Sequence, residues 1–379
     1  MLDRSLKTQH AAACRLRGER GALAEVGHWL AELLPPPRKV ALVTDRNVAP
    51  FWLKATEAAL KKAGYTTHPL LVPPGEESKS LKIRGNVWDR LLSFGVDRSS
   101  VLVALGGGVV GDLCGFAAAT LLRGLPLVQV PTSLVGQVDA AIGGKTGINR
   151  PLGKNLVGAF HQPRLVVIDP DLLATLPERE YRSGLAEVMK YGWLCAPDLL
   201  AQLREAGDLE GLRARPELVD AIVRRCAELK IDLVQKDERE TGERALLNFG
   251  HTTGHALEAA DGYQNLLHGE AVAIGMVAAA FLAVDLGVAA ATLPAEISEL
   301  LERYGLPIAT AFTPADLLPY LGHDKKRAAG KSRWVLVERA GAACIVEEPA
   351  AASVERALHA IHREPTAQEL PLESPPEER

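Results

Sequence analysis

The sequence predicts a Rossmann-like α/β domain with a parallel sheet, followed by an all-helical C-terminal domain. In the first half, short β-branched runs alternate with helical patterns, which is typical of βαβ units. From about Tyr181 the pattern is that of amphipathic helices, as in residues 216–237 and 294–305. We therefore assign residues 1–178 to the α/β domain, 179–362 to the helical domain and 363–379 to a tail.

Each predicted element rests on a local pattern. The strands that we expect to be buried on both faces are KVALVTD (39–45), SVLVALGGG (100–108), LPLVQVPTS (125–133) and RLVVIDP (164–170). FWLKATEAALKKAG (51–64) predicts a helix after the first strand, and residues 332–347 predict a brief return of strands. The longest apolar run starts at Ala271 but contains Asp285 and several glycines, which favours a buried core helix over a membrane span. The tail is rich in Pro and Glu, and we expect it to be disordered.

Composition excludes several classes of protein. The 379 residues are 47% hydrophobic and 24% charged, with a net charge of -4, so neither nucleic acid nor an anionic membrane is an expected partner. Five cysteines are scattered without CxxC spacing, which argues against a disulfide framework and a thiolate zinc site. The N-terminus lacks the apolar core of a signal peptide, so we expect a cytoplasmic protein.

A glycine-rich turn follows the second predicted strand. LGGGVVGD contains Gly106, Gly107, Gly108 and Gly111. The first, third and fourth of these fit the G-x-G-x-x-G pattern, which lets a phosphate approach backbone N–H groups at a helix N-terminus. Such a turn also serves close packing of a helix on a sheet. The next strand ends in VQVPTS without an acidic residue, so a standard dinucleotide site is not predicted.

Two further polar loops favour a ligand cleft. VTDRN carries Asp45 and Asn47 at the end of the first strand, and PPGEESKS carries Glu76 and Lys79 after another apolar run. Each loop alone is more often a solvated turn. Ligands collect at the carboxyl ends of parallel strands, so together the loops predict a nucleotide cleft.

Residues 137–160 read as a glycine-rich loop region with basic side chains. Asp139, Lys145, Asn149, Lys154 and Asn155 lie there among glycines. Lysines on loops are usually solvated, but glycines beside both of these favour an anion that approaches closely.

The helical half contains a candidate metal set. Glu187 and Lys190 are three apart on one helix face, and NFGHTTGH places His251 and His255 four apart. His268 precedes a very apolar helix. One Glu with two or three His is a plausible Zn²⁺ or Co²⁺ set with an open position, and the spacing leaves open whether one or both of the paired histidines bind.

These blocks, in their order, resemble the 3-dehydroquinate synthase family of sugar phosphate cyclases. The resemblance rests on PGEESKS, GGGVVGDLCGFAAAT, VDAAIGGKTGIN, GKNLVGAF, GLAEVMKYG, LNFGHTTGHALE and HGEAVAIGM, and it covers roughly residues 40 to 340. It implies an NAD- and metal-dependent enzyme, usually a homodimer, that converts 3-deoxy-D-arabino-heptulosonate 7-phosphate to 3-dehydroquinate and phosphate. The implied reaction is transient oxidation by NAD, β-elimination of phosphate, re-reduction and an intramolecular aldol step.

The resemblance also implies roles for individual residues. It assigns the metal to Glu187, His251 and His268, and it makes His255 a polar group that contacts substrate. Substrate is expected at Arg123, Lys145, Asn155, Lys190, Lys230, Arg244 and Asn248, with Asp139 near nicotinamide and substrate. The expected NAD site comprises Asp45, Asn47, Glu76, Lys79, Gly106, Gly107, Gly108, Gly111, Asp112, Thr132, Ser133, Lys145, Lys154 and Thr175.

The sequence departs from the family pattern at two positions, and one further family residue has no single match here. Ser133 stands where a second threonine is common, and Thr253 stands where phenylalanine is common. Neither change removes a needed functional group. A C-terminal lysine that reaches substrate could be Lys325, Lys326 or Lys331.

Three rival functions stay in view. A metal-dependent alcohol or glycerol dehydrogenase shares a similar two-domain plan, but the glycine-flanked lysines and the Glu187 ligand argue against it. A sibling cyclase acting on another sugar phosphate is less favoured, since GGKTGIN followed by GKN resembles the dehydroquinate branch more closely. A non-catalytic nucleotide-binding protein would have lost a ligand or a basic residue, and none is lost here.

Overall fold

The computed structural model describes residues 1–8, 13–150, 153–240, 242–325 and 332–364. The chain forms two compact units, the first spanning Met1–Leu247 and the second beginning at Asn248. The predicted disorder of the tail concerns residues that lie, apart from Arg363 and Glu364, outside the described ranges. Of the three candidate lysines, Lys326 and Lys331 lie outside them too, and only the backbone of Lys325 is described.

The first unit is built on strands β1 to β9. Their bounds are Leu2–Leu6, Cys14–Gly18, Lys39–Asp45, Thr66–Val72, Val101–Gly106, Leu127–Pro131, Lys145–Arg150, Gly153–Phe160 and Leu165–Ile168. Seven of them form one sheet in the order β1-β2-β9-β6-β5-β3-β4, parallel except for the β1–β2 pair. β7 and β8 form a separate antiparallel pair. The four predicted strands are confirmed as β3, β5, β6 and β9.

Helices α1 to α8 complete this unit. Their bounds are Val26–Leu33, Ala49–Lys62, Leu81–Ser93, Gly108–Thr120, Glu178–Leu194, Pro197–Ala206, Leu209–Arg213 and Pro216–Lys236. Alternate residues of a central strand point to opposite faces of the sheet. Ala41 and Val43 therefore join the core beneath α3 and α4, whereas Val40 and Leu42 join the core beneath α1 and α2. Two buried faces explain the continuous apolar runs in the sequence.

Two features of the first unit differ from the sequence prediction. The glycine-rich stretch that was expected to be loop contains the β7–β8 hairpin, whose glycines allow close strand pairing. A Cβ atom at Gly158, for example, would lie 2.0 Å from the Thr146 carbonyl oxygen. The first compact unit also extends through four helices beyond the predicted boundary at 178/179, so that boundary remains a proposal about where the sheet gives way to helices.

The second unit is mainly helical. It comprises α9 His251–Ala260, α10 His268–Asp285, α11 Leu293–Arg303, α12 Pro314–Lys325, strands β10 Arg333–Arg339 and β11 Ala342–Glu347, and α13 Ala351–Ile361. β10 and β11 pair antiparallel, which confirms the predicted return of strands. Within the described ranges, α10 alone is long and apolar enough to cross a membrane, but 72% of it is buried inside the protein. It is a buried core helix, as predicted.

Candidate active site

The glycine-rich turn lies at the carboxyl edge of the sheet, between β5 and α4. The neighbouring strand β6 lies so close that Thr132 N–H donates to the Gly106 carbonyl over 3.0 Å. A Cβ atom at Gly107 would lie 3.2 Å from Ser133 Oγ, and one at Gly106 would lie 2.7 Å from Val110. At Gly108 the nearest atom would be 3.6 Å away, an ordinary contact. A small cleft therefore opens over the start of α4, lined by Gly106, Gly107, Gly108, Gly111, Gln129, Pro131, Gly136, Ala140 and Ala141.

A second group of predicted NAD-site residues forms a charged network. The Lys79 ammonium is buried and donates to Asp112 over 2.7 Å, and it lies 3.4 Å from the Glu76 carboxylate. Lys154 lies 3.8 Å from the same Glu76 oxygen, and the Asn149 amide donates to it over 2.9 Å. Burial opposes the charge of Lys79, but the two carboxylates outweigh it and raise the pKa of this lysine.

Two other residues that are predicted to contact NAD, Asp45 and Thr175, accept hydrogen bonds from neighbouring groups of the protein. Asp45 accepts from the backbone N–H groups of Asn47 and Val48 over 2.7 and 3.0 Å, which shapes the turn after β3. The Thr175 hydroxyl accepts from the Trp52 indole over 2.8 Å. Asp45 is nevertheless the last residue of the parallel strand β3, and Thr175 lies in the segment after the parallel strand β9, at the edge that carries the glycine-rich turn.

The most buried charged group of the first unit surrounds Asp139, in a single wide helical turn at 136–140. Its Oδ1 accepts from Lys230 Nζ over 2.5 Å and from the Tyr191 hydroxyl over 2.8 Å. Lys190 forms an ion pair with Glu187 one helical turn away on α5. Burial opposes the charge of Asp139, yet Lys230 and Lys190 outweigh it and hold the pKa of this carboxyl far below its usual range.

The three cations of this group are buried, whereas most of the acidic side chains that face them, Asp139, Asp237 and Glu238, are only half-buried. Lys190, Lys230 and Arg244 are 1%, 6% and 1% exposed. Burial lowers the pKa of Lys230 and of Arg244. The nearby charge of Arg244 lowers the pKa of Lys230 further. Partial burial and the charges of Arg244 and Lys230 lower the pKa of Lys145 to about 7, although its ammonium also contacts Glu240. Such a cluster is suited to an anionic ligand.

The glycines before Lys145 have a structural explanation that the sequence did not reveal. A Cβ atom at Gly143 would lie 2.6 Å from the Arg244 guanidinium, and one at Gly144 would lie 2.8 Å from the Gln162 side chain. Both glycines also have positive φ, 105° and 69°. The glycines at this position therefore do not by themselves require an approaching anion, because protein side chains lie beside them, and the expected anion remains a prediction.

Two predicted substrate residues lie apart from Asp139. Arg123 is exposed in a left-handed turn (φ 67°) beyond the C-terminal end of α4, whereas the glycine-rich turn is at the N-terminal end of that helix. The 13 residues of α4 separate these ends by roughly 20 Å. Asn155 is exposed on β8, and its N–H donates to Asn149 beside the Glu76 network.

In the second unit, three predicted histidines lie close together on α9 and α10. Ring centroids are 5.2 Å apart for His251 and His268, and 5.5 Å apart for His251 and His255. His251 Nδ1 lies 3.1 Å from the Phe249 carbonyl, and His268 Nδ1 lies 3.2 Å from the Glu258 carboxylate. Because carbonyl and carboxylate oxygens accept, each Nδ1 donates to its partner, which leaves Nε2 as the ring nitrogen that a metal ion would use. His255 is exposed on the same helix, and Asn248 begins this unit three residues before His251.

Two residues in these networks were not predicted. Tyr191 follows Lys190 directly, and its hydroxyl shares the Asp139 carboxylate. Glu258 is seven residues after His251 on α9, a spacing that returns to the same helix face and would have identified it as a partner for a nearby histidine. Nothing in the sequence near Tyr191 indicates that its hydroxyl meets Asp139, because the contact joins residues 52 positions apart.

Comparison with known proteins places these networks in a family. The family model for the 3-dehydroquinate synthase N-terminal domain matches residues 69–183 of the sequence. The family model for the C-terminal domain matches residues 184–327. A 3-dehydroquinate synthase from Symbiobacterium thermophilum is 46% identical over 347 residues, covering 90% of this chain and 96% of the relative. The chain belongs to the 3-dehydroquinate synthase family. The resemblance inferred from the sequence blocks is thereby confirmed.

Solved structures share the fold of this family member. The 2-epi-5-epi-valiolone synthase from Streptomyces hygroscopicus subsp. jinggangensis, solved with NAD⁺ and Zn²⁺, is 29% identical with a TM-score of 0.85, covering 94% of this chain and 98% of that one. A 2-deoxy-scyllo-inosose synthase solved with carbaglucose-6-phosphate, NAD⁺ and Co²⁺ is 23% identical with a TM-score of 0.82, covering 94% and 100%. The second likeness concerns the fold alone.

Proposed function

We propose that the protein is a 3-dehydroquinate synthase, an NAD- and metal-dependent lyase. It converts 3-deoxy-D-arabino-heptulosonate 7-phosphate to 3-dehydroquinate and phosphate, a step of the shikimate pathway to aromatic amino acids. Beside family membership, the observation that carries this proposal is the buried group of Lys190, Lys230 and Arg244 around Asp139.

The charge of this group discriminates between the candidate functions. Burying cations is costly, and these three are more deeply buried than most of the acids beside them, so an anionic ligand that adds negative charge best explains their arrangement. The proposed substrate carries both a phosphate and a carboxylate. A dehydrogenase for neutral polyols would offer neither group. Arg244 provides a planar donor for oxyanions, and the lysines provide point charges that favour departure of phosphate.

NAD is proposed to bind along the carboxyl edge of the sheet. A pyrophosphate would approach the N-terminus of α4 over Gly108, where a Cβ atom would lie in ordinary contact with Ala140 and a larger side chain would line the cleft. The proposed NAD contacts are those that the resemblance implied, namely Asp45, Asn47, Glu76, Lys79, Asp112, Thr132, Ser133, Lys145, Lys154 and Thr175 with the glycines of the turn. The network of Glu76, Lys79 and Asp112 would pre-form one side of that site.

We propose Glu187, His251 and His268 as ligands of one divalent metal ion. Two histidines that both present Nε2, one of them held by a buried carboxylate, fit the second-shell pattern of metal sites. The buried Glu187 would supply the oxygen ligand. The related valiolone synthase was solved with Zn²⁺ and NAD⁺. Bound here, such a metal would polarise the oxygen on the carbon that NAD oxidises and the oxygen on the carbon next to it.

The chain's own residues then bind and orient the substrate. Asp139 remains a carboxylate and can accept a hydrogen bond from a substrate hydroxyl while it holds the Lys230 ammonium. Lys190 stays charged, because Glu187 and Asp139 raise its pKa against the opposing effect of burial. His255 and Asn248 are proposed to contact substrate from the second unit. Arg123 lies beyond the far end of α4 and Asn155 lies beside Asn149, so neither position supports a contact with substrate within this chain.

Two further proposals follow from membership of the family. We expect a homodimer and a cytoplasmic location, as the resemblance and the N-terminal sequence implied. Light scattering of the purified protein measures the first, and fractionation of cells measures the second.

A closed redox cycle separates the proposed reaction from that of a dehydrogenase. With 3-deoxy-D-arabino-heptulosonate 7-phosphate, NAD and Zn²⁺, phosphate should be released over many turnovers while NADH absorbance stays flat. NADH accumulating without phosphate release would instead identify a dehydrogenase. Phosphate release from another sugar phosphate only would identify a sibling cyclase.

Substitution of the buried cations tests the charge argument. Lys190→Ala and Arg244→Ala should each reduce phosphate release by about 10- to 100-fold, the effect of losing one hydrogen bond to a charged group. NAD binding should be retained. Lys236→Ala is the matched control, since this lysine is on α8 with Lys230 but is 65% exposed. Equal effects in all three variants would contradict the proposal.

A further inference from the structure

Tyr191 is a buried residue whose hydroxyl reaches the centre of the candidate active site. It lies on α5 directly after Lys190, and its side chain is 0% exposed. The hydroxyl donates to Asp139 Oδ1 over 2.8 Å. This contact is within the first unit and joins the α5 helix to the turn at 136–140.

The two donors to Asp139 meet at one oxygen. Lys230 Nζ also donates to Oδ1, over 2.5 Å, and the Asp139 side chain is 20% exposed. Within the described part of the chain, both hydrogen bonds to this carboxylate therefore use Oδ1. A carboxylate held at one oxygen by donors from two helices cannot rotate without losing both bonds. Oδ2 is thereby kept in one direction.

The charge states make Tyr191 a donor only. Burial, together with the adjacent Asp139 carboxylate, raises the pKa of Tyr191 well above its usual value, so its hydroxyl keeps its proton. Asp139 in turn stays ionised. The hydrogen bond from a protonated phenol to a carboxylate is charge-assisted, and it is therefore stronger than a hydrogen bond between neutral groups.

We propose that Tyr191 is a positioning residue for the substrate-binding carboxylate. Its hydroxyl fixes Asp139 so that Oδ2 accepts a hydrogen bond from a substrate hydroxyl while Oδ1 retains Lys230. This inference rests on the proposed function, since it assigns Asp139 to substrate. A purely structural role, in which the ring fills space and the hydroxyl only satisfies Asp139, is the alternative.

The test compares two tyrosines on the same helix. Tyr191→Phe removes the hydroxyl and keeps the ring, and it should lower kcat/KM for phosphate release by about tenfold, as expected for one hydrogen bond to a charged group. Tyr181→Phe is the control, because Tyr181 is also buried on α5 and packs against Arg213, far along the helix from Asp139. Its kcat/KM should match that of the wild type. NAD binding and thermal unfolding of both variants report whether the fold is intact.

A double-mutant cycle distinguishes positioning from packing. If Tyr191 acts through Asp139, then Tyr191→Phe should have no additional effect on kcat/KM in an Asp139→Asn background. An undiminished effect of Tyr191→Phe in that background, or wild-type kcat/KM in the single variant, would overturn the inference. Both outcomes leave the proposed function standing. Failure of the wild-type enzyme to release phosphate would instead reject the proposed function itself.

Discussion

Lys145 carries a charge that depends on pH close to neutrality. Partial burial and the charges of Arg244 and Lys230 lower its pKa to about 7, although Asp139 opposes this shift and the ammonium contacts Glu240, so the side chain changes from charged to neutral near pH 7. An anion bound beside it would restore the charge. Binding should therefore be linked to uptake of one proton above pH 7.

The probe for this linkage is sulfate, whose own charge does not change between pH 6 and 9. Its affinity for the NAD-loaded enzyme, measured by calorimetry, should be constant below pH 7 and fall towards tenfold per pH unit above it. Lys145→Arg should remove this decline, because the guanidinium remains protonated throughout. A decline of equal slope in both proteins would assign the proton to another group.

Glu258 determines which nitrogen of the His268 ring carries the donated proton. The carboxylate is 1% exposed and accepts from His268 Nδ1, so the proposed ligand nitrogen of His268 is Nε2. His251 is fixed in the same form by the Phe249 carbonyl. The two histidines thus present equivalent nitrogens before any metal arrives, which reduces the ordering required on binding.

At the scale of elements, helices α9 and α10 approach each other through glycines. A Cβ atom at Gly275 would lie 1.9 Å from the Gly250 carbonyl oxygen and 3.0 Å from Gly254 N. A carbonyl oxygen of the backbone cannot move aside as a flexible side chain can. This close approach is also what brings His251 and His268 to a centroid distance of 5.2 Å.

Gly275→Ala should therefore separate the two helices. We expect a loss of about 1–3 kcal/mol or more in the free energy of unfolding, as for overpacked cores, and weaker metal binding. Gly85→Ala on α3 is the control, since a Cβ atom there meets nothing within 4 Å, and it should stabilise by about 0.4–1 kcal/mol. Denaturant unfolding measures both. A Gly275→Ala variant as stable as the wild type would contradict the packing.

At the scale of the whole molecule, a metal bound to the folded state should stabilise it. Zn²⁺ at 100 times its dissociation constant would add about 2.7 kcal/mol, visible as a higher Tm that a chelator reverses. His251→Ala should abolish this shift in Tm, whereas His255→Ala should keep the shift and lose turnover. Loss of the shift in both variants would mean that the paired histidines on α9 bind the metal together.

Local patterns determined the elements around the site. Apolar runs of the length of a strand identified β3, β5, β6 and β9, because strands buried on both faces have no polar alternation. The glycine-rich turn and the blocks of family sequence identified the edge at which ligands are expected, and family membership confirmed the resemblance. Most predicted site residues do lie in the networks around Lys79, Asp139 and His251.

The tertiary structure alone decided which of these residues meet. Gly143 has a φ of 105°, and a Cβ atom there would meet Arg244, a hundred positions later in the chain. The hydroxyl of Tyr191 likewise donates to a residue on another element, Asp139. Arg123 lies beyond the far end of α4 and is therefore distant from the glycine-rich turn. Periodicity and turn chemistry are set by neighbours in sequence, so they specify which segments become helices or strands. Contacts between distant segments depend on how those segments pack, and no local pattern encodes that.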